Sequence, residues 1–229
     1  MGCERTCTVT FTEPDSLQIQ ANITSAFNGA NIQCYGSATG TANTLTTGGI
    51  SPYAYLWTNG NITDNITGVT AGIYTVTVTD VNGCIDASSV IFTNPDSVQV
   101  SAAITSDYNG ASIQCYGSST GTAECTAAGG LTPYNYLWTN GNTTASISGM
   151  PAGTYTVTIA DANGCSDLTS VTFSDSDSLE ITAGITSSYN GQDILCSGSS
   201  TGSAAVNPAG GLSPYSYLWS NGNTTDNIS

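Results

Sequence analysis

The sequence has 229 residues, 16 of them acidic and only one, Arg5, basic, and its formal net charge is −15. This balance excludes nucleic acid and anionic membrane surfaces as partners, because binding phosphates requires lysine and arginine. The sequence contains no histidine and no lysine, so the usual acid–base and nucleophile-activating groups are missing. We therefore predict no enzyme, no catalytic residue and no resident cofactor. No apolar run is long enough to insert into a membrane.

The chain repeats itself with a period of 81 residues. The phrase Gly48 to Gly60 recurs as Gly129 to Gly141 and as Gly210 to Gly222. A unit of this length can bury its own core, so the period predicts a tandem array of folded units. The predicted boundaries are 1–14 for the C-terminal strand of a preceding repeat, 15–95 for repeat 1, 96–176 for repeat 2 and 177–229 for a truncated repeat 3.

Each end of the sequence falls inside a repeat. Met1-Gly2-Cys3 is in register with Asn82-Gly83-Cys84, and Ser229 is in phase with Thr67. We therefore expect the sequence to be a window of a longer polypeptide. The first residues also fit an acylation pattern, but the repeat register explains them without it.

Short segments in which apolar and polar residues alternate follow one another through each repeat. In the 71–80 segment, Tyr74, Val76 and Val78 face one way while threonines face the other, which is typical of a half-buried strand. Asp80 to Gly83 is a hairpin turn, since Asn-Gly tolerates positive φ, and the next strand turns Val90 and Phe92 inward. The predicted strands of repeat 1 lie at residues 17–23, 40–47, within 48–60, around 62–69, at 71–80 and at 87–93.

Six or seven short strands per repeat, without helical periodicity, predict an all-β fold of tandem β-sandwiches. A tryptophan on an inner strand and a Gly-x-Tyr before a later strand resemble an immunoglobulin-like sandwich with its tyrosine corner. We therefore predict tandem immunoglobulin-like β-sandwich repeats. In the phrase Gly48 to Gly60 the aromatic side chains could form an exposed sugar-stacking platform, but their alternation favours packing in the core.

Six of the cysteines form two sets, and each set recurs at the same position of every repeat. Two cysteines at fixed positions in each repeat indicate disulfides in an oxidising compartment. A zinc site is the competing interpretation, but Cys-x-x-Cys spacing and histidine are both missing. Cys7 and Cys125 break the phase and are either free thiols or part of a local or interchain bond. The in-phase sets are Cys34, Cys115 and Cys196, and Cys3, Cys84 and Cys165.

Two disulfide pairings are open. We favour bonds inside the repeats, Cys34–Cys84 and Cys115–Cys165, each closing a loop of 50 residues. The alternative joins neighbouring repeats, for example through Cys34–Cys165. The geometry of a strict seven-strand sandwich supports this alternative, because the two cysteines of one repeat would lie at opposite ends.

The combined pattern is similar to the SprB-type repeat of gliding-motility adhesins of Bacteroidetes. Its parts are Cys-x-Gly at Cys34, the Gly-Gly-x-x-Pro-Tyr-x-Tyr-x-Trp phrase from Gly48, and Ala-Gly-x-Tyr to Asn-Gly-Cys from Ala71 to Cys84. The resemblance implies a very long extracellular cell-surface adhesin, exported by type IX secretion and moved as filaments to produce gliding. Its implied partners are neighbouring repeats of the chain, other copies in a filament, and surface polysaccharide.

Two further kinds of site are expected from short motifs. Asp80 and Asp161 begin turns that resemble the first half of a calcium loop, although the later ligands are missing, so a plain hairpin turn is the favoured interpretation. Asp-Ser-aliphatic triplets match the O-glycosylation signal that the family resemblance brings in, with a turn cap as the alternative. The glycosylation candidates are Ser16, Ser97 and Ser178.

These observations predict a structural segment of a surface adhesin, whose work is extension and presentation of distal binding regions. The alternative is that the repeats are themselves carbohydrate- or surface-binding modules of a secreted protein. An exposed aromatic face would favour that alternative.

Overall fold

The structure is a computed structural model that describes residues 4–229. The register and the acylation pattern of Met1-Gly2-Cys3 lie outside these residues. Within the described range every regular element is a β-strand. The strands are β1 Gln18–Ile23, β2 Gly40–Thr47, β3 Ala54–Trp57, β4 Asn65–Val69, β5 Gly72–Thr79, β6 Ile85–Phe92, β7 Gln99–Ile104, β8 Gly121–Ala128, β9 Asn135–Trp138, β10 Ser146–Met150, β11 Gly153–Ala160, β12 Ser166–Phe173, β13 Glu180–Ile185, β14 Ala204–Ala209 and β15 Asn227–Ile228.

The first six strands form two antiparallel sheets of three strands, in the orders β1-β2-β4 and β3-β5-β6. The chain passes from one sheet to the other between β2 and β3, between β3 and β4, and between β4 and β5. Two packed antiparallel sheets connected in this way are the arrangement of an immunoglobulin-like sandwich. The main chains of Ile19 and Ala21 in β1 donate to Asp86 Oδ2 and Ser88 Oγ of β6, at 2.9 and 3.0 Å. These side chains tie the edge of one sheet to the edge of the other.

The core of this sandwich lies between the two sheets. Trp57 is 1% exposed, and its indole N–H donates to the carbonyl oxygen of Thr63 at 3.0 Å, which satisfies its single polar atom. The Tyr74 ring meets Phe92 edge-on, with ring centroids 5.7 Å apart. The inward positions predicted on β5 and β6 are confirmed, since Val76, Val78, Val90 and Phe92 are all buried.

Strands β7 to β12 repeat the arrangement, with sheets β10-β8-β7 and β12-β11-β9. Trp138 and Phe173 are buried as Trp57 and Phe92 are. The hydroxyl of Tyr155 donates to the carbonyl oxygen of Pro151 at 3.3 Å, four residues upstream, which is the bond of a tyrosine corner. The prediction of tandem immunoglobulin-like sandwiches is confirmed.

A close approach of two backbones explains the paired glycines that open each aromatic phrase. Gly48 has φ 67°, and a Cβ atom there would overlap the carbonyl oxygen of Ser16. Gly129 has the same φ and meets Ser97 in the same way. Because only glycine permits both the positive φ and this contact, the linker can lie directly against the phrase.

The last strands form one sheet, β13-β14-β15, and residues 215–219 carry no strand. Side chains that are buried in the first two repeats are exposed here. Leu179 is 61% exposed, whereas its counterparts Leu17 and Val98 are 9% and 7% exposed. One face of this sheet is therefore left without a covering sheet in the described residues.

The chain forms two compact units that do not follow the sequence period. One unit contains the chain up to Val98 together with Gly129–Tyr134 and Ala160–Cys165. The other contains Gln99–Ala128, Asn135–Ile159 and Ser166–Ser229. Two segments of the second sequence repeat thus pack with the first. Residues 4–17, which include most of the predicted 1–14 strand, carry no strand.

Candidate functional site

The loop between β1 and β2 carries Cys34 and is built by its own hydrogen bonds. A tight turn closes where Phe27 and Ala30 exchange main-chain bonds of 2.8 and 3.0 Å, with Asn28 and Gly29 at positive φ. Ile32 is fully buried and anchors the loop to the core. The loop therefore has a fixed shape before it meets any partner.

Threonine and serine hydroxyls hold the cysteine itself. The main-chain N–H of Gln33 donates to Thr39 Oγ1 at 2.8 Å, and that of Cys34 donates to Ser37 Oγ at 3.1 Å. The N–H of Gly36 donates to Asn94 Oδ1 at 3.0 Å, which places the loop beside the end of β6. These bonds fix the position of Cys34 within the loop.

The second half of the site is the turn from Asp161 to Cys165, between β11 and β12. The carboxylate oxygen Oδ1 of Asp161 accepts the N–H groups of Asn163 and Cys165, at 2.9 and 2.8 Å. Its Oδ2 accepts the N–H of Leu131 at 3.0 Å, and the Ala162 N–H donates to the Leu131 carbonyl at 2.9 Å. The buried carboxylate of Asp161 thus shapes the turn and fastens it to Leu131, in the Gly129–Gly141 segment (the glycine–proline phrase of the second repeat).

The equivalent turn of the first repeat uses Asp80 in the same way. Its carboxylate accepts the N–H groups of Asn82, Cys84 and Ile50 at 2.8 to 3.0 Å. Burial raises the pKa of Asp80, but the bonds from Cys84, Ile50 and Asn82 outweigh it and hold this pKa below its ordinary value. The charged form is therefore the one that the turn is built around.

A disulfide bond joins the loop to the turn. The sulfur atoms of Cys34 and Cys165 are bonded across 131 residues of sequence, with Cα atoms 5.5 Å apart. Cys165 Sγ lies 3.2 Å from the Gln33 carbonyl oxygen, a contact without a hydrogen bond because a disulfide sulfur carries no proton. Both cysteines belong to the same compact unit, yet they come from successive sequence repeats.

Asn163 supplies the polar contacts around this disulfide. Its Oδ1 accepts Asn28 Nδ2 at 2.7 Å, and its main-chain carbonyl accepts Gln33 Nε2 at 2.9 Å. Its Nδ2 lies 3.5 and 3.4 Å from the carbonyl oxygens of Phe27 and Gln33. One turn residue therefore contacts the loop at Phe27, Asn28 and Gln33. In the sequence, an asparagine before glycine indicates a turn and by itself gives no sign of this contact.

The favoured pairings Cys34–Cys84 and Cys115–Cys165 are wrong, and the alternative Cys34–Cys165 is formed. The Cys34 loop lies beside Asn94, just beyond the end of β6, whereas Cys84 directly precedes that strand. A strand of eight residues separates the two ends by about 25 Å, and disulfide bonding requires Cα atoms within about 7 Å. Cys84, Cys115 and Cys196 are free and exposed.

The two cysteines that break the phase are both free thiols. Cys7 is exposed. Cys125 is 3% exposed in β8, and burial raises the pKa of its thiol, with the charge of Glu124 adding to the effect. Cys125 therefore acts as a small apolar core residue rather than as a nucleophile.

The calcium candidates Asp80 and Asp161 already serve backbone donors, as a plain hairpin turn requires. In residues 4–229 no group of three or more Cys, Asp or Glu side chains is placed to hold a metal ion. Calcium binding stays a prediction. The candidate glycosylation sites Ser16, Ser97 and Ser178 are exposed.

The aromatic phrase packs in the core and does not form a platform. Trp57 and Trp138 are buried, and the half-buried Tyr53 uses its hydroxyl to donate to the Gly48 carbonyl at 2.7 Å. The preference for core packing is confirmed. The exposed aromatic residues of the first two repeats are instead Tyr35 and Tyr116, each next to its loop cysteine.

The strand order and the buried core define a class of protein, the tandem immunoglobulin-like β-sandwich. The family described as the SprB repeat matches residues 26–62, 111–143 and 188–224. The chain is therefore similar to the SprB repeat at three places, as its motifs predict. Such repeats and immunoglobulin-like domains are typical of extracellular and cell-surface proteins.

No curated protein matches the sequence. Among solved structures, the chain is similar to murine CEACAM1b, with 14% identity, a TM-score of 0.27, and coverage of 70% of this chain and all (100%) of that one. It is also similar to the eight N-terminal Ig domains of Down Syndrome Cell Adhesion Molecule, with 13% identity and a TM-score of 0.41, covering 92% of this chain and 33% of that one. An amphioxus IgVJ-C2 molecule matches with 16% identity, a TM-score of 0.24, and coverage of 67% and 96%. The immunoglobulin-like assignment follows from the strand order and core of the chain itself.

Residues 4–229 include no helix with the length and apolar character that a membrane span requires.

Proposed function

We propose that this chain is a structural segment of a very long bacterial cell-surface adhesin, and that its work is mechanical extension and presentation. The observation that carries this proposal is the Cys34–Cys165 bond, which connects two successive sequence repeats. Together with the three SprB repeats, it supports an array that bears load along its length. Export by type IX secretion and a part in gliding motility belong to the same proposal.

The disulfide gives successive repeats a second covalent connection besides the linker. In the chain-entropy model, closing a loop of 131 residues stabilises the folded chain by about 5 kcal/mol. The hydrogen bonds of Asn163 hold the Asp161–Cys165 turn against the Cys34 loop. An array built this way resists extension more than one whose repeats are joined by linkers alone.

Single-molecule pulling on the two ends of the chain tests this role. With the disulfide intact, the residues between Cys34 and Cys165 are shielded from force, because the bond carries it. We expect the fully extended chain to be shorter by on the order of 450 Å than the reduced chain, at about 3.5 Å for each of 131 residues.

The double variant C34S/C165S is the matched control, and it should reach the longer length with or without reductant. The variant C115S should behave as the wild type does. If the wild type reaches the longer length without reductant, the load-bearing role of this bond is wrong.

A second function, as carbohydrate-binding modules, is favoured only by Tyr35 and Tyr116, which are 64% and 65% exposed at equivalent positions. Exposed aromatic rings stack on sugars, and surface polysaccharide would be the partner. Glycan-array binding by the whole chain, lost in Y35A/Y116A, would support this function. Equal binding by the variant would reject it.

We also propose O-glycosylation at Ser16, Ser97 and Ser178, supported by their exposure and their recurrence at the linkers. Intact mass of the native protein should show hexose-sized increments at these serines. A native mass equal to that of the bare polypeptide would reject the modification.

A further inference from the structure

An open cleft lies beside Cys115, within the second compact unit. Its volume is about 660 Å³, and the loop of the second repeat forms one wall. The other wall consists of the linker before β13 and the glycine–proline phrase of the third repeat. Its lining includes Asn109, Gln114, Cys115, Ser176, Gly211 and Leu212.

Each wall of this cleft has a counterpart around the disulfide of the first unit, 81 positions earlier in the sequence. Asn109, Gln114 and Cys115 correspond to Asn28, Gln33 and Cys34, which hold the Asp161–Cys165 turn. Gly211 and Leu212 correspond to Gly130 and Leu131, to which that turn is fastened. The cleft therefore has the walls of the first junction without its turn.

The polar groups of the cleft lack the partners that their counterparts have. The N–H and carbonyl of Leu131 bond to Asp161 and Ala162, whereas those of Leu212 have no partner among residues 4–229. The hydroxyl oxygen of Ser176 is buried in the cleft wall and also finds no hydrogen-bond partner there. Cys115 and Gln114 are exposed, whereas Cys34 and Gln33 are half-buried.

The loop itself is already in its binding shape. The N–H of Cys115 donates to Ser118 Oγ at 3.2 Å and that of Gln114 donates to Thr120 Oγ1 at 2.9 Å, as in the Cys34 loop. A preorganised loop binds without the entropy cost of ordering.

We propose that this cleft receives the last hairpin turn of a repeat of this same kind, with the sequence Asp-x-Asn-Gly-Cys, and that its cysteine forms a disulfide with Cys115. The proposal deepens the load-bearing function and rests on it. The carboxylate would accept the Leu212 N–H, and the asparagine would bond to Asn109 and Gln114. Every contact named has a formed counterpart at Cys34 and Cys165.

The occupant is an unpaired hairpin, not the turn of an already assembled repeat. In an assembled repeat the turn aspartate is bonded to its own phrase, as Asp80 is to Ile50 at 3.0 Å. Leu212 would then compete with that phrase for the same carboxylate. A free hairpin of two strands also brings apolar side chains to the uncovered face of the β13-β14-β15 sheet, where Leu179 and Ile181 are exposed.

The chemistry is thiol–disulfide exchange. The hairpin cysteine is supplied as a mixed disulfide with 5-thio-2-nitrobenzoate, an aromatic thiol. The Cys115 thiolate attacks the sulfur of the hairpin cysteine, a new S–S bond forms, and the mixed bond breaks. The aromatic thiolate leaves with the electron pair, so no other oxidant is needed.

The test uses the whole chain with Cys34–Cys165 intact and a synthetic peptide of residues 153–173, activated at its cysteine as above. Release of the coloured thiolate gives the rate, and non-reducing peptide mapping gives the site. After normalisation to a small aromatic disulfide, we expect Cys115 to react with the peptide at least about tenfold faster than Cys196 or Cys84.

Cys196 is the internal control, because its loop has the same local bonds, with its N–H donating to Ser199 Oγ at 3.2 Å, but it does not line the cleft. A peptide with alanine in place of its Asp and Asn should lose the preference for Cys115. Equal labelling of the three thiols, or an undiminished preference with the alanine peptide, would overturn the proposal. Neither outcome would affect the pulling result for Cys34–Cys165, so the two proposals fail separately.

Discussion

The Cys34 loop and the Cys115 loop have nearly the same sequence and the same internal hydrogen bonds. Among residues 4–229, however, a hairpin turn lies against the first loop and none lies against the second. The bonds from the cysteine N–H to a serine hydroxyl measure 3.1 and 3.2 Å in the two loops. The shape of the loop is therefore set by its own serines and threonines and does not depend on a partner. What the turn adds is burial, the asparagine contacts and the covalent bond.

The largest effect should follow from removing that covalent bond. We expect C165S to lower the free energy of unfolding by up to about 5 kcal/mol, because the loop of 131 residues is no longer closed in the unfolded chain. Urea unfolding followed by tryptophan fluorescence measures the loss. The control C115S removes the matching thiol of the open loop and should leave the midpoint unchanged; equal shifts in both would contradict the comparison.

Core truncation should separate complete sandwiches from the third repeat. W57A removes a side chain that is 1% exposed, so we expect a loss of about 3 to 5 kcal/mol. W219A removes the half-buried counterpart beside the uncovered sheet, and its effect should stay below about 1 kcal/mol. Calorimetry of both variants checks this, and a W219A loss as large as that of W57A would show a covered third core.

The asparagine contacts should contribute less than the core. N163A deletes the bond to Asn28 and the contacts of Nδ2, and we expect a loss of about 1 to 2 kcal/mol. The matched variant N82A alters the equivalent exposed residue, with an expected change within about 0.5 kcal/mol. Thermal unfolding of the pair decides the matter, since indistinguishable losses would mean that Asn163 acts only as a turn former.

The smallest effect concerns pH. The pKa of Asp80 is lower in the folded chain, so its contribution to stability is present above the unfolded pKa and is lost as the pH falls through the folded value. We expect the Tm of the wild type to fall more steeply below about pH 4 than that of D80N. N82A keeps the carboxylate and should retain the wild-type slope. Parallel curves for D80N and the wild type would refute the role of the charge.

The strands could be predicted from the sequence because alternation and glycine–proline punctuation are local signals. The predicted strand 40–47 coincides with β2, and 71–80 contains β5. The inward residues of β5 and β6 followed from the period of two. These features need no knowledge of which sheet lies where.

The disulfide could not be chosen in the same way. The spacing of the cysteines identifies two sets that recur every 81 residues. This spacing is the same whether Cys34 bonds to a cysteine of its own repeat or to one of the next repeat. The choice depends on which end of the sandwich each cysteine occupies, and this follows only from sheet topology. Asn28 and Gln33 recur as Asn109 and Gln114, and this recurrence is a sequence signal for the contact between the Cys34 loop and the Asp161–Cys165 turn. The asparagines also fit simple turns, however, so the signal does not identify the contact by itself.

The course of the disulfide has a consequence for damage. The linker between the first two repeats includes Asn94-Pro95-Asp96, where Asn94 and Asp96 are exposed. A protease that cut this peptide would leave the fragments attached through Cys34 and Cys165, since these residues lie on either side of the cut. The joint between these two repeats thus has a second covalent connection, and a single cut in the linker does not separate them.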